Sequence, residues 1–110
     1  MPGSADIALG NASYSTLLQA TLTPAQVEPA TSAEQTFALQ GLQVGDVVVV
    51  QKPTAQAGIG IVGSRVSAAN VLAVTFMNAT AATVTPTAAQ VYLVHLTRRS
   101  NPGALPTAFV

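Results

Sequence analysis

Few side chains in this 110-residue chain could carry out chemistry. The sequence contains four Lys and Arg, four Asp and Glu, one His and no Cys. A serine nucleophile needs a histidine base and a carboxylate, and His95, Asp46 and one of many serines would supply those residue types. However, no Gly-x-Ser-x-Gly sequence is present to hold a serine exposed on a tight turn. The residues therefore predict no enzyme active site.

Metal and nucleotide sites are not predicted either. One histidine and no cysteine leave too few strong ligands for a zinc or other transition-metal site. The glycine-rich segment 58–63 superficially resembles a nucleotide-binding loop, but no amphipathic helix is predicted after it whose N-terminus could bind a phosphate. Glycines within a strand more often mark a bulge or a close approach of two backbones. We expect no metal and no cofactor.

The low charge of the chain excludes several classes of partner. Charged residues make up 7% of the sequence, against roughly 25% in an ordinary soluble domain, and the formal net charge is zero. Binding to nucleic acid or to a membrane surface would need clustered basic residues. Residues 66–97 carry no charge, but polar residues interrupt them well before the ~20 apolar residues of a spanning helix. Because the first residues also lack a secretory signal pattern, we expect a protein made in the cytoplasm.

Short segments of β-strand character follow one another at spacings of about 8 to 12 residues. Several alternate between two faces, as residues 71–78 do with Leu72, Val74 and Phe76 on the same face. Proline and glycine separate the segments, and Asn70 indicates a turn because asparagine tolerates a positive φ. The predicted strands are residues 14–22, 35–39, 47–50, 59–62 with 65–66, 71–78 and 90–97.

These strands predict an all-β fold, a small antiparallel β-sandwich or barrel-like domain with an extended N-terminal arm. A single domain accounts for the chain, because 110 residues have no room for two independent cores. Residues 1–30 contain three prolines and few large apolar residues, so we assign them to the arm, with one possible strand. Residues 31–99 are assigned to the β-sandwich domain, and residues 100–110 to an irregular C-terminal tail.

The run of four valines from Val47 to Val50 predicts an oligomer. A strand with one face in water alternates apolar and polar residues, so four valines in succession indicate that both faces are covered. One face can pack on the opposite sheet, and the arm or another subunit must cover the other. Left uncovered, the segment would promote aggregation. The residues that we expect in contacts with another molecule are Tyr14, Leu17, Leu18, Val47 and Val49.

Two further predictions concern charged and titratable residues. Asp46 and Arg65 each stand at the edge of an apolar strand, and we predict that they form a structural ion pair that fixes strand register or a subunit contact. Two separate solvated charges are the alternative. His95 shares a strand face with Val91 and Leu93, which predicts a structural histidine on a half-buried face rather than a catalytic base.

A set of glycine, asparagine and β-strand residues forms a pattern over the second part of the chain. Its segments are Gly41 to Val50, Lys52-Pro53, Gly58-Ile59, Arg65 to Ser67, Val74 to Asn78, Thr85-Pro86 and Tyr92. This pattern resembles a domain common in the virion proteins of tailed bacteriophages, and it is similar to small capsid decoration (cement) proteins. The resemblance covers roughly residues 33–99 and includes no catalytic signature.

The resemblance implies a β-sandwich-like domain, often trimeric, on the outer capsid surface at junctions between major capsid subunits. The expected function is therefore that of a homotrimeric decoration protein, not an enzyme, with itself and the major capsid protein as partners. The contact residues named above would then face a sister subunit or the capsid. A tail-fibre or baseplate module that binds host-surface glycans is the alternative, although such modules usually expose aromatic side chains. A small hydrolase is a third class, disfavoured because the catalytic set is missing.

Overall fold

A computed structural model describes residues 12–99 of the chain. Within this range the backbone forms six β-strands and no helix, so the predicted all-β fold is confirmed. No helix long and apolar enough to cross a membrane occurs among these residues. The strands are β1 (Ala12–Leu22), β2 (Thr31–Ala38), β3 (Val47–Gln51), β4 (Ile59–Ala68), β5 (Val71–Asn78) and β6 (Gln90–Arg99).

The strands form two three-stranded antiparallel sheets that enclose the core. The first sheet has the order β1-β6-β3, and the second sheet has the order β2-β5-β4. The two central strands, β6 and β5, are hydrogen-bonded on both sides, and the other four each pair with a central strand. Along one side the sheets are joined by Ser64 of β4, whose hydroxyl donates to the Val48 carbonyl of β3 over 2.8 Å.

The first strand is an edge strand of the first sheet and does not belong to an arm. β1 pairs with β6 from the Ala12–Arg99 position to the Leu22–Gln90 position. Ala20, Leu22 and Val27 belong to the core cluster. The predicted arm boundary at residue 30 is therefore corrected: the small residues of this segment have one face to bury, and the opposite sheet covers it. Residues 1–11 of the predicted arm and the predicted tail, 100–110, lie outside the described residues.

The core is built from alternate residues of both sheets. Burial of each large apolar side chain stabilises the fold by about 1.5–3 kcal/mol. The rings of Phe76 in β5 and Tyr92 in β6 meet edge to face, with centroids 6.5 Å apart, and both side chains are fully buried. The first sheet contributes Ala20, Leu22, Val48, Val50, Tyr92, Val94 and Leu96, and the second sheet contributes Val66, Leu72, Val74 and Phe76.

Two local predictions about the second sheet are confirmed. β4 and β5 form a hairpin in which Asn70 has a φ of +63°, a conformation that asparagine tolerates. The Asn70 side chain also accepts a hydrogen bond from the Gly41 amide over 2.7 Å. The register of β4 against β5 shifts between Ile61 and Gly63, so the glycine-rich strand carries a bulge.

A buried asparagine organises the loop that follows β5. Asn78 is fully buried, and its amide nitrogen donates to the carbonyls of Val27 (3.0 Å) and Ala82 (2.8 Å). Its carbonyl oxygen accepts from the Thr80 amide (2.9 Å) and from the Thr80 hydroxyl (2.7 Å). These bonds satisfy the whole side chain, which is the condition for burying such a polar group at low cost.

Candidate interaction surface

The outward face of the first sheet has no layer of protein over it within residues 12–99. Its residues lie in rows across the three strands, because residues paired in the ladder share a face. From one end to the other, the rows are Ser15–Thr97–Val47, Leu17–His95–Val49, Gln19–Leu93–Gln51 and Thr21–Val91, each given in the order β1, β6, β3. We call these eleven residues the apolar face.

Five of the eleven residues of the apolar face have large apolar side chains. Leu17, Val47 and Val49 are 66%, 61% and 60% exposed, and Val91 and Leu93 are also exposed. With His95 neutral, no residue of the four rows carries a charge. Exposed patches of large apolar side chains are often functional.

Three of the five predicted contact residues lie together on this face. Leu17 and Val49 flank His95 on either side, and Val47 is in the next row. Leu18 points the other way and packs against the core, so it does not belong to the apolar face. Neighbouring residues of a strand alternate between faces, and Leu17 and Leu18 cannot share one. The side chain of Tyr14 lies outside the described residues.

The valine run alternates between the core and the apolar face. Val48 and Val50 are buried in the core, whereas Val47 and Val49 are exposed. The first half of the prediction, burial against the opposite sheet, is thus confirmed. Within residues 12–99 of a single chain, no other segment covers Val47 and Val49.

His95 is exposed at the centre of the apolar face and not on a half-buried one. The prediction placed it correctly with Val91 and Leu93, which occupy the same face of β6. Its expected half-burial is wrong because no second layer covers this side of the sheet. Because the sequence places Val91 and Leu93 with His95 on a half-buried face, it does not identify them as surface residues. Their alternation with Tyr92 and Val94 was the available signal, but it does not show which face is inside.

The predicted ion pair between Asp46 and Arg65 is wrong. Asp46 precedes β3, and because Val47 lies opposite Thr97 in the ladder, the adjacent position brings Asp46 to Arg98. Both Asp46 carboxylate oxygens accept from the Arg98 guanidinium, at 2.9 Å and 2.7 Å. Arg98 also donates to the Gly41 carbonyl over 2.8 Å, so the pair fastens the turn before β3 to the end of β6.

Arg65 instead pairs with Glu34 on the outward face of the second sheet. Its guanidinium donates to both Glu34 oxygens, at 2.8 Å and 2.9 Å. Arg65 lies opposite Ala73 in the register, and Glu34 lies opposite Thr75, so the pair crosses the middle strand. Ala73 is fully buried although it belongs to this outward face.

The environments of the two carboxylates differ. The Arg98 hydrogen bonds hold the pKa of Asp46 below its ordinary value, against the opposing effect of burial. The Asp46 side chain is only 3% exposed, whereas Glu34 is 36% exposed. Hydrogen bonding to Arg65 likewise lowers the pKa of Glu34. Both groups are therefore fixed as structural anions and are not poised as acids or bases near neutral pH.

The remaining chemical candidates are not assembled into a site. The Asp46 oxygens are engaged by Arg98 and by the Gln43 amide (2.9 Å), so Asp46 does not orient His95. Gly58, Gly60 and Gly63 have the spacing G-x-G-x-x-G, but they begin a strand and no helix follows them in the described chain. Among residues 12–99, no three His, Asp or Glu side chains gather as a metal-binding group.

A groove of about 510 Å³ runs beside the apolar face, between β3 and residues 54–61. Val49, Ile59 and Ile61 line it with Lys52 and Gln56. The Lys52 ammonium donates to the Thr54 carbonyl (2.9 Å), and the Gln56 amide donates to the Thr85 carbonyl (2.9 Å). The Lys52 bond lies within one turn and the Gln56 bond joins two loops, so both polar groups are engaged in structural contacts.

Comparison with protein-family models, with curated proteins and with solved structures finds no match for this chain.

Proposed function

We propose that this protein is a virion structural protein, a decoration protein that binds the outer surface of a bacteriophage head as a homotrimer and stabilises contacts between major capsid subunits. The observation that carries the proposal is the exposed, uncharged apolar face of the first sheet. The sequence resemblance over residues 33–99 supplies the virion context.

The apolar face suits a protein that works by attachment. Its large side chains come from β-strands, which hold them in fixed positions. Binding to a partner therefore carries no entropic cost of ordering a loop. Repeated attachment at equivalent sites of a shell also lets modest contacts add to a high avidity.

The glycan-binding alternative has less support from the described residues. Modules that bind sugars usually present an exposed aromatic ring for stacking. Phe76 and Tyr92 are fully buried in the core, and Phe37 packs against it. Tyr14 and Phe109 have side chains outside the described part of the chain. Binding to a host-derived glycan array, with no binding to heads, would favour this alternative.

The direct test is addition of the purified protein to phage heads that lack it. We expect saturable co-sedimentation and a higher temperature of head disruption. Heads of an unrelated phage are the control for non-specific adsorption. Saturable binding to neither the matched heads nor any capsid intermediate would contradict the proposal.

The contribution of the N-terminal segment needs a shorter deletion than the predicted arm boundary indicates. Removing residues 1–30 would delete β1 and part of the core, so the protein would not fold. Removing residues 1–11 leaves all six strands. We expect that deletion to weaken head binding, with circular dichroism as the check on folding. If the deletion leaves the amount of protein bound to heads unchanged, residues 1–11 take no part in the capsid contact.

A further inference from the structure

We infer that the groove between β3 and residues 54–61 is a docking site for a segment of the major capsid protein that presents a carboxylate beside an aliphatic side chain. Lys52 is the residue that binds the carboxylate. The inference deepens the proposed function, on which it rests for the identity of the partner.

The groove has an aliphatic lining from both of the strands beside it. Ile59 and Ile61 of β4 are partly buried against the core and also line the groove. Val49, which is 60% exposed, lines it from β3. The volume of about 510 Å³ lies within the range of roughly 300–1,000 Å³ for sites that bind small molecules. The groove therefore has room for an apolar side chain of a partner.

The cation that lines the groove has no anion as its partner among residues 12–99. The Lys52 ammonium donates to the Thr54 carbonyl over 2.9 Å, and to the Thr54 hydroxyl and the Gln90 side-chain oxygen over 3.3 Å each. All three acceptors are neutral, and the two longer bonds exceed the usual N–H···O range of about 2.7–3.2 Å. No ion pair joins Lys52 to a carboxylate in this part of the chain. A carboxylate that enters the groove would therefore replace weak bonds by shorter, charge-assisted ones.

The Lys52 ammonium is held in position before a partner binds. The Gln90 amide nitrogen donates to the Thr54 hydroxyl over 2.8 Å, which closes a network of Lys52, Thr54 and Gln90. Lys52 is also half-buried. A lysine side chain that is already ordered loses less conformational entropy on binding than one that extends freely into water.

A second copy of this chain is poorly suited to the groove. Among the carboxylates of residues 12–99, Glu34 and Asp46 are bound by arginines, which leaves Glu28. The aliphatic side chain next to Glu28 is that of Val27, which is fully buried in the core. A sister subunit therefore has no exposed pair of a carboxylate and an aliphatic neighbour here, and a partner of different sequence is favoured.

The groove adjoins the surface to which the proposed function assigns the capsid contact. Val49 and Gln51 belong both to the apolar face and to the lining of the groove. A capsid segment that lies on the apolar face can therefore reach the Lys52 ammonium without a second point of attachment. The uncharged face supplies apolar contacts, and the groove adds one directional contact between charges, which favours one register of the partner over others.

A titration with a small carboxylate tests the chemistry of the groove without any phage component. The probes are isovalerate, an aliphatic carboxylate, and its neutral amide, isovaleramide, followed by NMR of the methyl groups of Val49, Ile59 and Ile61. We expect saturable shifts of these signals and a dissociation constant about tenfold lower for the carboxylate than for the amide. Equal affinity for the two probes, or shifts confined to methyl groups elsewhere, would overturn the inference.

Variants of Lys52 separate binding of the carboxylate from a structural role of the lysine. Lys52→Gln should bind the two probes equally, whereas Lys52→Arg keeps the charge and should retain the preference for the carboxylate. Arg65→Gln is the matched control, because it also removes one positive charge but lies on the second sheet, and it should retain the preference. An unchanged preference in Lys52→Gln would show that Lys52 serves only the turn at Thr54, and the inference would be wrong.

Co-sedimentation with phage heads that lack the protein tests the partner. Lys52→Glu should bind the matched heads at least about tenfold more weakly than the wild type, and Arg65→Glu should bind them as the wild type does. Circular dichroism checks the folding of each variant. Unchanged binding of Lys52→Glu would contradict the inference and leave the proposed function standing. If the wild type itself does not bind heads, the proposed function and the capsid partner are both contradicted, whereas the carboxylate preference of the groove is decided by the titration alone.

Discussion

Asp46 and Glu34 each accept two hydrogen bonds from an arginine, but the surroundings of the two ion pairs differ. The Asp46 side chain is 3% exposed, and its partner Arg98 also binds the Gly41 carbonyl. The Glu34–Arg65 pair lies in contact with solvent on the second sheet. Exposed ion pairs contribute little because water screens them and long side chains lose freedom, whereas a buried pair is costly to break.

We expect Asp46→Asn to lower the free energy of unfolding by about 1.5–3 kcal/mol at pH 7, because it leaves the Arg98 guanidinium without its anion. The folded-state pKa of Asp46 is lowered, so its contribution is present above an unfolded-state pKa of about 3.9 and is lost as the pH falls through the folded value. The difference between variant and wild type should shrink below pH 4 in urea titrations.

Glu34→Gln is the matched control for that measurement. It removes the charge of a carboxylate bound to arginine by two bonds of the same length range, but at an exposed position. We expect a smaller loss of stability than for Asp46→Asn. An equal or larger loss would show that burial does not set the strength of these pairs.

The Tyr92 hydroxyl has no hydrogen-bond partner among the described residues, although it is buried. A buried, unpaired donor costs about 1–3 kcal/mol, so we expect Tyr92→Phe to raise the free energy of unfolding by about 1 kcal/mol at pH 7. Chemical denaturation of the two proteins measures the difference, and a marked loss of stability in the variant would contradict it.

The same substitution should also remove a sensitivity to alkali. Burial raises the pKa of Tyr92 above 10.0, so the unfolded chain ionises first as the pH rises. The wild type therefore loses stability from this group above pH 10, and Tyr92→Phe does not. Denaturation at pH 9 and pH 11 tests this, and equal losses in both proteins would refute it.

At the scale of strands and turns, two constraints require a glycine at position 58: its backbone conformation and the lack of space for a side chain. It has a φ of +76°, and a Cβ added to it would collide with the Thr80 methyl group. Gly41 also has a positive φ, of +102°, but a Cβ there would meet nothing within 4 Å. Substitutions at these two glycines therefore distinguish the effect of backbone strain from the effect of steric overlap.

We expect Gly58→Ala to destabilise the protein by about 2–3 kcal/mol and Gly41→Ala by about 1 kcal/mol. Thr80→Ser removes the methyl group but keeps the hydroxyl that Asn78 binds. Introducing Gly58→Ala into Thr80→Ser should therefore cost less than introducing it into the wild type. A double-mutant cycle by thermal or urea denaturation measures the coupling, and additive losses would contradict the overlap.

The sequence was sufficient to predict the strands, because alternation and the breakers between segments are local signals. Proline after Lys52 ends β3 as expected, and Asn70 makes the expected turn. Strand partners are not local: Arg98 meets Asp46 only because β3 lies beside β6. The alternation of Val91 and Leu93 with Tyr92 shows two faces, but only the arrangement of the sheets decides which face is buried.

At the scale of the whole molecule, the low charge and the apolar face predict an association that salt does not weaken. Contacts between charged surfaces are screened as ionic strength rises, but burial of aliphatic side chains is not. We expect the dissociation constant for self-association at 1 M NaCl to be no higher than at 0.05 M, and sulfate to lower it. Sedimentation velocity over a concentration series measures this. Tenfold weaker association at high salt would point to an electrostatic interface instead.

The pairing of the first strand with the last has a consequence for how the chain is made. The hydrogen bond between Ser15 and Thr97 joins residues 82 positions apart, across the β1–β6 ladder. During synthesis, the β4–β5 hairpin can form early, but β1 and β3 have no central strand until β6 leaves the ribosome. The first sheet must therefore close only after all six strands have been synthesised. A fold with so many pairings between distant residues is expected to form slowly. Until β6 pairs with it, the valine-rich strand β3 stays exposed and can associate with other chains.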